Sequence, residues 1–127
     1  MNAADAEAFA RRWVDEWNRL AVDEIVGHYH PRGRFTSPIA ARVVGDPVLP
    51  DREALQAYWS KAAGRIASLR FDYERILWDP ARRELCVIYW ATIDGSTKRA
   101  CEFMRFDENG RILEGEAMYG AEVTRPA

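Results

Sequence analysis

The chain has 127 residues, 48% of them hydrophobic and 30% charged, which fits one globular domain with an ordinary core and leaves no room for a second. Its 18 basic and 20 acidic residues give a net charge of −2 and are spread along the chain, so the basic footprint needed to bind nucleic acid is missing. No run of about 18 apolar residues is present to make a membrane span, and the first residues, MNAADAEAFARRW, do not read as a signal peptide, so the expected location is cytoplasmic.

Two cysteines, Cys86 and Cys101, are too few for a disulfide framework, and neither they nor the two histidines have metal-ligand spacing. Arg32, Arg34 and Arg42, and the pair Arg82 and Arg83, are short local clusters that read as solvated loop charges. Five Trp, five Tyr and five Phe supply a large amount of rigid apolar surface for a core or a pocket wall.

In chain order, Phe9, Trp13, Trp17 and Leu20 recur at three- and four-residue steps, which predicts an amphipathic helix over residues 4 to 19. A short second helix is expected from Val22 to Tyr29, ended by Pro31. Gly33 to Pro38 is short and β-prone. The following dozen residues hold Gly45, Pro47 and Pro50 and read as a loop. Asp51 can cap a third helix over Arg52 to Ala67.

From Ser68 the period becomes strand-like. Strands are expected at Leu69–Trp78, Glu84–Asp94, Thr97–Phe106 and Arg111–Ala121, with turn chemistry at Asp79-Pro80, Asp94-Gly95 and Asn109-Gly110. A Gly95-Ser96 turn pairing Asp94 with Thr97 puts Leu85, Val87, Tyr89 and Ala91 on one face with Ala100, Glu102, Met104 and Phe106. Cys86, Ile88, Trp90, Cys101 and Phe103 fall on the other. Three helices and then an antiparallel meander make an α+β domain with the helices on one side of a curved sheet. The second apolar face then calls for a partner, and a homodimer across Ile88, Trp90, Cys101 and Phe103 is expected.

The segments Val22–Pro38 (VDEIVGHYHPRGRFTSP), Arg52–Ala62 (REALQAYWSKA) and Glu102–Tyr119 (EFMRFDENGRILEGEAMY) carry a resemblance that covers nearly the whole chain. It is to the nuclear transport factor 2-like superfamily, and within it to the branch of ketosteroid isomerases and SnoaL-like polyketide cyclases. The resemblance implies a cystatin-like fold, three N-terminal helices on a strongly curved sheet that forms a cone around an internal apolar pocket. It implies a small apolar organic ligand and a homodimer, and it hosts many activities as well as proteins without catalysis.

Within the resemblance, the isomerase's proton-moving aspartate matches Ser37, its oxyanion-donating tyrosine matches Trp13, and its protonated aspartate matches Glu102. Its aromatic pocket walls match Tyr58 and Tyr119. Ser37 has no basicity without a partner and an indole N–H has no acid–base role, so steroid isomerase activity is not expected.

Glu102 shares a face with Val87, Tyr89, Met104 and Phe106, where a carboxylate is costly unless paired or protonated. It is either a pocket acid or the partner of an arginine at the sheet edge. His28 replaces an aliphatic residue usual in the family's second helix and is either a cavity-lining imidazole or a hydrogen-bonded core residue. His30, before Pro31, reads as a solvated loop residue. No nucleophile-elbow motif surrounds Ser37, so a Ser37–His28–Glu102 triad has little support.

The leading expectation is an isomerase, dehydratase or cyclase acting on an apolar cyclic substrate by acid–base chemistry, without cofactor or metal. Glu102 and His28 would be catalytic, with Trp13, Ser37, Tyr58, Tyr89, Met104 and Tyr119 shaping the substrate site. The rival is a ligand-binding or protein-interaction module that has lost the catalytic base.

Overall fold

Asn2 opens the first helix: its side chain accepts from the Asp5 N–H while the Asp5 carboxylate accepts from the Asn2 N–H, a reciprocal cap. The computed structural model describes residues 1–124. Helix α1 spans Ala3–Asn18 and buries Phe9, Trp13 and Trp17, spaced four apart on one stripe. Helix α2 (Val22–Gly27) turns the chain back, and strand β1 (Tyr29–Thr36) follows. Helix α3 (Pro38–Val44), the two-residue strand β2 (Val48–Leu49) and helix α4 (Arg52–Ala63) come next, the last capped by Asp51 accepting from the Ala54 N–H. Strands β3 (Leu69–Asp79), β4 (Glu84–Ile93), β5 (Ser96–Phe106) and β6 (Ile112–Glu122) complete the order.

The six strands form one sheet in the order β2-β1-β6-β5-β4-β3. All neighbours are antiparallel except β1 and β6, which run parallel. The expected strongly curved, purely antiparallel sheet closed into a cone is therefore corrected. The sheet is mixed and open, and it ends on β2 at one side and β3 at the other. The physical reason is that the meander alone leaves β6 as a bare edge, and β1 covers it. The Ile112 N–H donates to the His28 carbonyl at 2.8 Å where β6 begins.

Helix α2 stops short of the expected Tyr29, which begins β1 instead. Pro31, which lacks an N–H, sits where the β1–β6 register shifts between Tyr29 and Arg34, so no ladder bond is lost. The stretch expected as a loop after Pro38 contains α3. Ser37 caps it by accepting from the Ile39 N–H at 3.1 Å, Pro38 fills the first turn, and Gly45 ends it at φ +83.

In the β4–β5 hairpin, Ile93 pairs with Ser96 around an Asp94-Gly95 turn in which both residues have positive φ. The expected pairing of Asp94 with Thr97 is displaced by two positions in register, which leaves every side chain on its expected face. Leu85, Val87, Tyr89 and Ala91 are buried together with Ala100, Glu102, Met104 and Phe106. The helices cover this face. At the β3 edge, the Asn18 amide substitutes for a neighbouring strand: its oxygen accepts from the Phe71 N–H at 2.7 Å and its NH2 donates to the Phe71 carbonyl at 2.9 Å.

Candidate functional site

Where α1, α3 and α4 meet the buried face of β4, β5 and β6, side chains leave a cavity of about 60 Å³. That is room for a few water molecules and less than one aromatic ring needs. Strand alternation aims Tyr89, Glu102 and Tyr119 into it from three adjacent strands, and the helical stripe brings Trp13 and Trp17 from α1 and Tyr58 and Trp59 from α4. The walls are aromatic, with Trp13 edge-on to Tyr89 at 5.2 Å between ring centres and Trp17 perpendicular to Trp59 at 5.3 Å.

Glu102 is 3% exposed, and its carboxyl has no hydrogen-bond or ion-pair partner among the described residues. No arginine among the described residues reaches it from the sheet edge. Burial first, and then the nearby Glu116 charge, push its pKa from 4.5 up to about 8, so at neutral pH it is predominantly a protonated acid. Burial and the Glu102 carboxyl also raise the phenols of Tyr29 and Tyr119. Tyr58 is raised chiefly by burial, with the Ser37 hydroxyl and Arg42 pulling the other way. The phenol of Tyr89 is held well above 10 by burial and by its neighbours Tyr119 and Glu102. Near neutral pH the polar atoms of this site are therefore donors: one carboxylic acid and several phenols.

Tyr29 is absent from the sequence-derived set. Its ring is buried, and its hydroxyl has no hydrogen-bond partner among the described residues, although it feels the Glu102 carboxyl. It lies against Gly115, where an added Cβ would collide with that hydroxyl. The signal was a glycine inside a strand, which marks a close approach.

Of the sequence-derived residues, Glu102, Trp13, Ser37, Tyr58, Tyr89 and Tyr119 are brought together around the cavity. Met104 is fully buried on the same sheet face but does not line it. His28 is elsewhere: its Nε2 lies 2.7 Å from the Glu16 carboxylate, between α1 and the end of α2, with its ring edge-on to Phe9. Ser37 is committed as the cap of α3, although its hydroxyl also borders the cavity. No cluster of three His, Cys, Asp or Glu able to hold a metal occurs among the described residues, and no helix among them is long and apolar enough to cross a membrane.

Comparison with known proteins gives a consistent picture. The sequence profile of the SnoaL-like domain matches residues 10–115. The crystal structure of a SnoaL-like protein of unknown function from Burkholderia thailandensis is 27% identical, with a TM-score of 0.83 over 94% of this chain and 98% of that one. A protein of unknown function with a cystatin-like fold from Methylobium petroleophilum superposes with a TM-score of 0.75 at 17% identity, over 100% of this chain and 83% of that one. A nuclear transport factor 2-like protein of unknown function from Cytophaga hutchinsonii gives 0.67 at 11% identity, over 94% and 91%. The last two likenesses are of fold alone. No curated protein sequence matches the chain.

Proposed function

From the premise that this chain belongs to the SnoaL-like family of the nuclear transport factor 2-like superfamily, we propose that it binds a small apolar cyclic molecule and moves a proton on it. The observation that carries this reading is Glu102, a buried carboxyl with no counter-ion among the described residues, in an aromatic cavity wall. An acid–base group works best when its pKa lies near the operating pH, and about 8 satisfies that requirement in both directions. Protonated Glu102 hydrogen-bonds or protonates a carbonyl or leaving oxygen. Its ionised minority form removes a proton from carbon. The phenols of Tyr58 and Tyr119 donate to developing negative charge on oxygen. Isomerisation, dehydration and cyclisation all need these same steps, and no cofactor enters any of them. His28, engaged with Glu16 away from the cavity, is left out of the proton path.

The test is deuterium exchange into a panel of cyclic ketones in heavy water, followed by proton NMR, with the natural protein beside Glu102→Gln. Exchange catalysed by the natural protein, rising with pH toward a midpoint near 8 and lost by at least about a hundredfold in the variant, is expected. Binding without exchange, seen as ligand-induced thermal stabilisation, would instead favour a ligand-binding module. Ser37, engaged in capping α3 where an isomerase has its aspartate base, is the observation on that side.

A further inference from the structure

The inner cavity does not end at Tyr119. Ile39, Ile93 and Tyr119 line both it and a second, outer cleft of about 450 Å³, so the two spaces adjoin. The outer cleft runs between α3 and the β4–β5 hairpin. Its walls are apolar at Pro38, Ala91 and Ile93, and it carries two cations, Arg42 from α3 and Lys98 from β5.

Neither cation is neutralised. Arg42 and Lys98 form no hydrogen bond or ion pair with any described residue. Glu122 is the cross-strand neighbour of Lys98, yet it does not come within ion-pair distance. Lys98 is half-buried, and its ammonium is 6.0 Å from the centre of the Tyr119 ring. Two like charges in one concave, partly apolar surface repel each other and raise the local potential for an anion. Arg42 lines the outer cleft alone, and its charge lowers the phenols of Tyr58 and Tyr119, which border the inner cavity.

We propose that the outer cleft is an anion subsite: Arg42 and Lys98 hold a carboxylate or phosphate on the ligand, whose apolar body crosses the cleft and whose reactive end passes Tyr119 toward Glu102. The inference rests on the small-molecule reading above and narrows it, from apolar cyclic molecules in general to apolar organic acids. The volumes agree with this division. A ring and its anionic head fit in about 450 Å³, while the inner space of about 60 Å³ admits only the few atoms on which a proton is moved. A second consequence is orientation. The anion fixes one end of the ligand, so the atom presented to Glu102 is set by the distance from the charged head and not by ring shape alone.

Tryptophan fluorescence reports binding directly, because Trp13, Trp17 and Trp59 line the inner cavity. Cinnamate, cinnamyl alcohol and phenyl phosphate are titrated at low ionic strength into the natural protein and into Arg42→Gln and Lys98→Gln. Both substitutions lie at the rim of the fold, and unchanged melting temperatures check that it is intact. Cinnamate or phenyl phosphate is expected to bind about tenfold tighter than the alcohol, and the tighter of the two identifies the head. Each substitution should weaken the anion about three- to tenfold, leave the alcohol unchanged, and reduce the effect of added salt. Equal affinity for alcohol and anion, or anion binding indifferent to both substitutions, would overturn the anion subsite while leaving the small-molecule pocket in place. Failure of all three probes to bind at millimolar concentration would overturn the pocket reading, and the subsite with it.

Discussion

In the unfolded chain the Glu102 carboxyl ionises near 4.5, whereas in the fold burial keeps it protonated up to about 8. Below pH 4.5 both states are protonated and the ionisation of the residue contributes nothing to stability. As pH rises from 4.5 to 8 the unfolded chain releases a proton that the folded one keeps, so stability falls, and above pH 8 the loss is complete. At pH 8 the loss is on the order of 4–5 kcal/mol, from 1.36 kcal/mol for each unit between the two states. Glu102→Gln retains a polar group of the same shape but does not ionise. Urea denaturation should find the variant nearly level with the natural protein at pH 5 and more stable by a few kcal/mol at pH 8. A Gln variant weaker at pH 8 would mean that the carboxylate has a counter-ion in solution. The position of Glu102 was legible because strand alternation assigns faces by parity alone, and even a register displaced by two preserves them. The hydroxyl of Tyr29 was not legible: it depends on Gly115, far away in sequence, leaving space for it.

Among the elements, α1 and α2 are joined by a polar contact inside apolar packing. Glu16 is 3% exposed, and its carboxylate meets His28 at 2.7 Å. Removing one partner leaves the other buried and unsatisfied, whereas removing both leaves an apolar contact. His28→Leu alone is therefore expected to destabilise by about 3 kcal/mol, and Glu16→Met with His28→Leu should recover most of that loss. Equilibrium unfolding of the two single and one double variant measures the coupling. Additive losses would show that the contact contributes nothing of its own. Helix α3 shows the limit of reading elements from composition. Gly45, Pro47 and Pro50 outweighed the Ser37-Pro38 start signal and the role of Gly45 as a helix terminator. With α3 unseen, Arg42 read as a loop charge; on the helix it faces the outer cleft. The parallel pairing of β1 with β6 was equally hidden, since hairpin signals report sequence neighbours and this pair is joined across most of the chain.

For the molecule as a whole, the helices satisfy only one face of the sheet. The other presents Ile88, Cys101 and Met118 in one cross-strand row, with Leu77, Cys86 and Phe103 in the next. Leu77 and Met118 are 56% and 46% exposed, and the rest of these are half-buried. The charged pairs Glu74–Arg99 and Arg105–Glu114 flank these rows, giving an apolar centre with a polar margin. Such a face is suited to a second copy of itself. A two-fold axis would set row against row. We expect a homodimer through this face. Met118→Glu tests it at a position already open to water, so the isolated fold should tolerate the charge while two copies facing each other would bring two carboxylates into the apolar centre. Sedimentation at micromolar concentration should show the natural protein as a dimer and the variant shifted toward monomer, with an unchanged far-ultraviolet circular dichroism spectrum. A natural protein that sediments as a monomer at that concentration would refute the interface. A variant that remains fully dimeric would place the dimer on another surface.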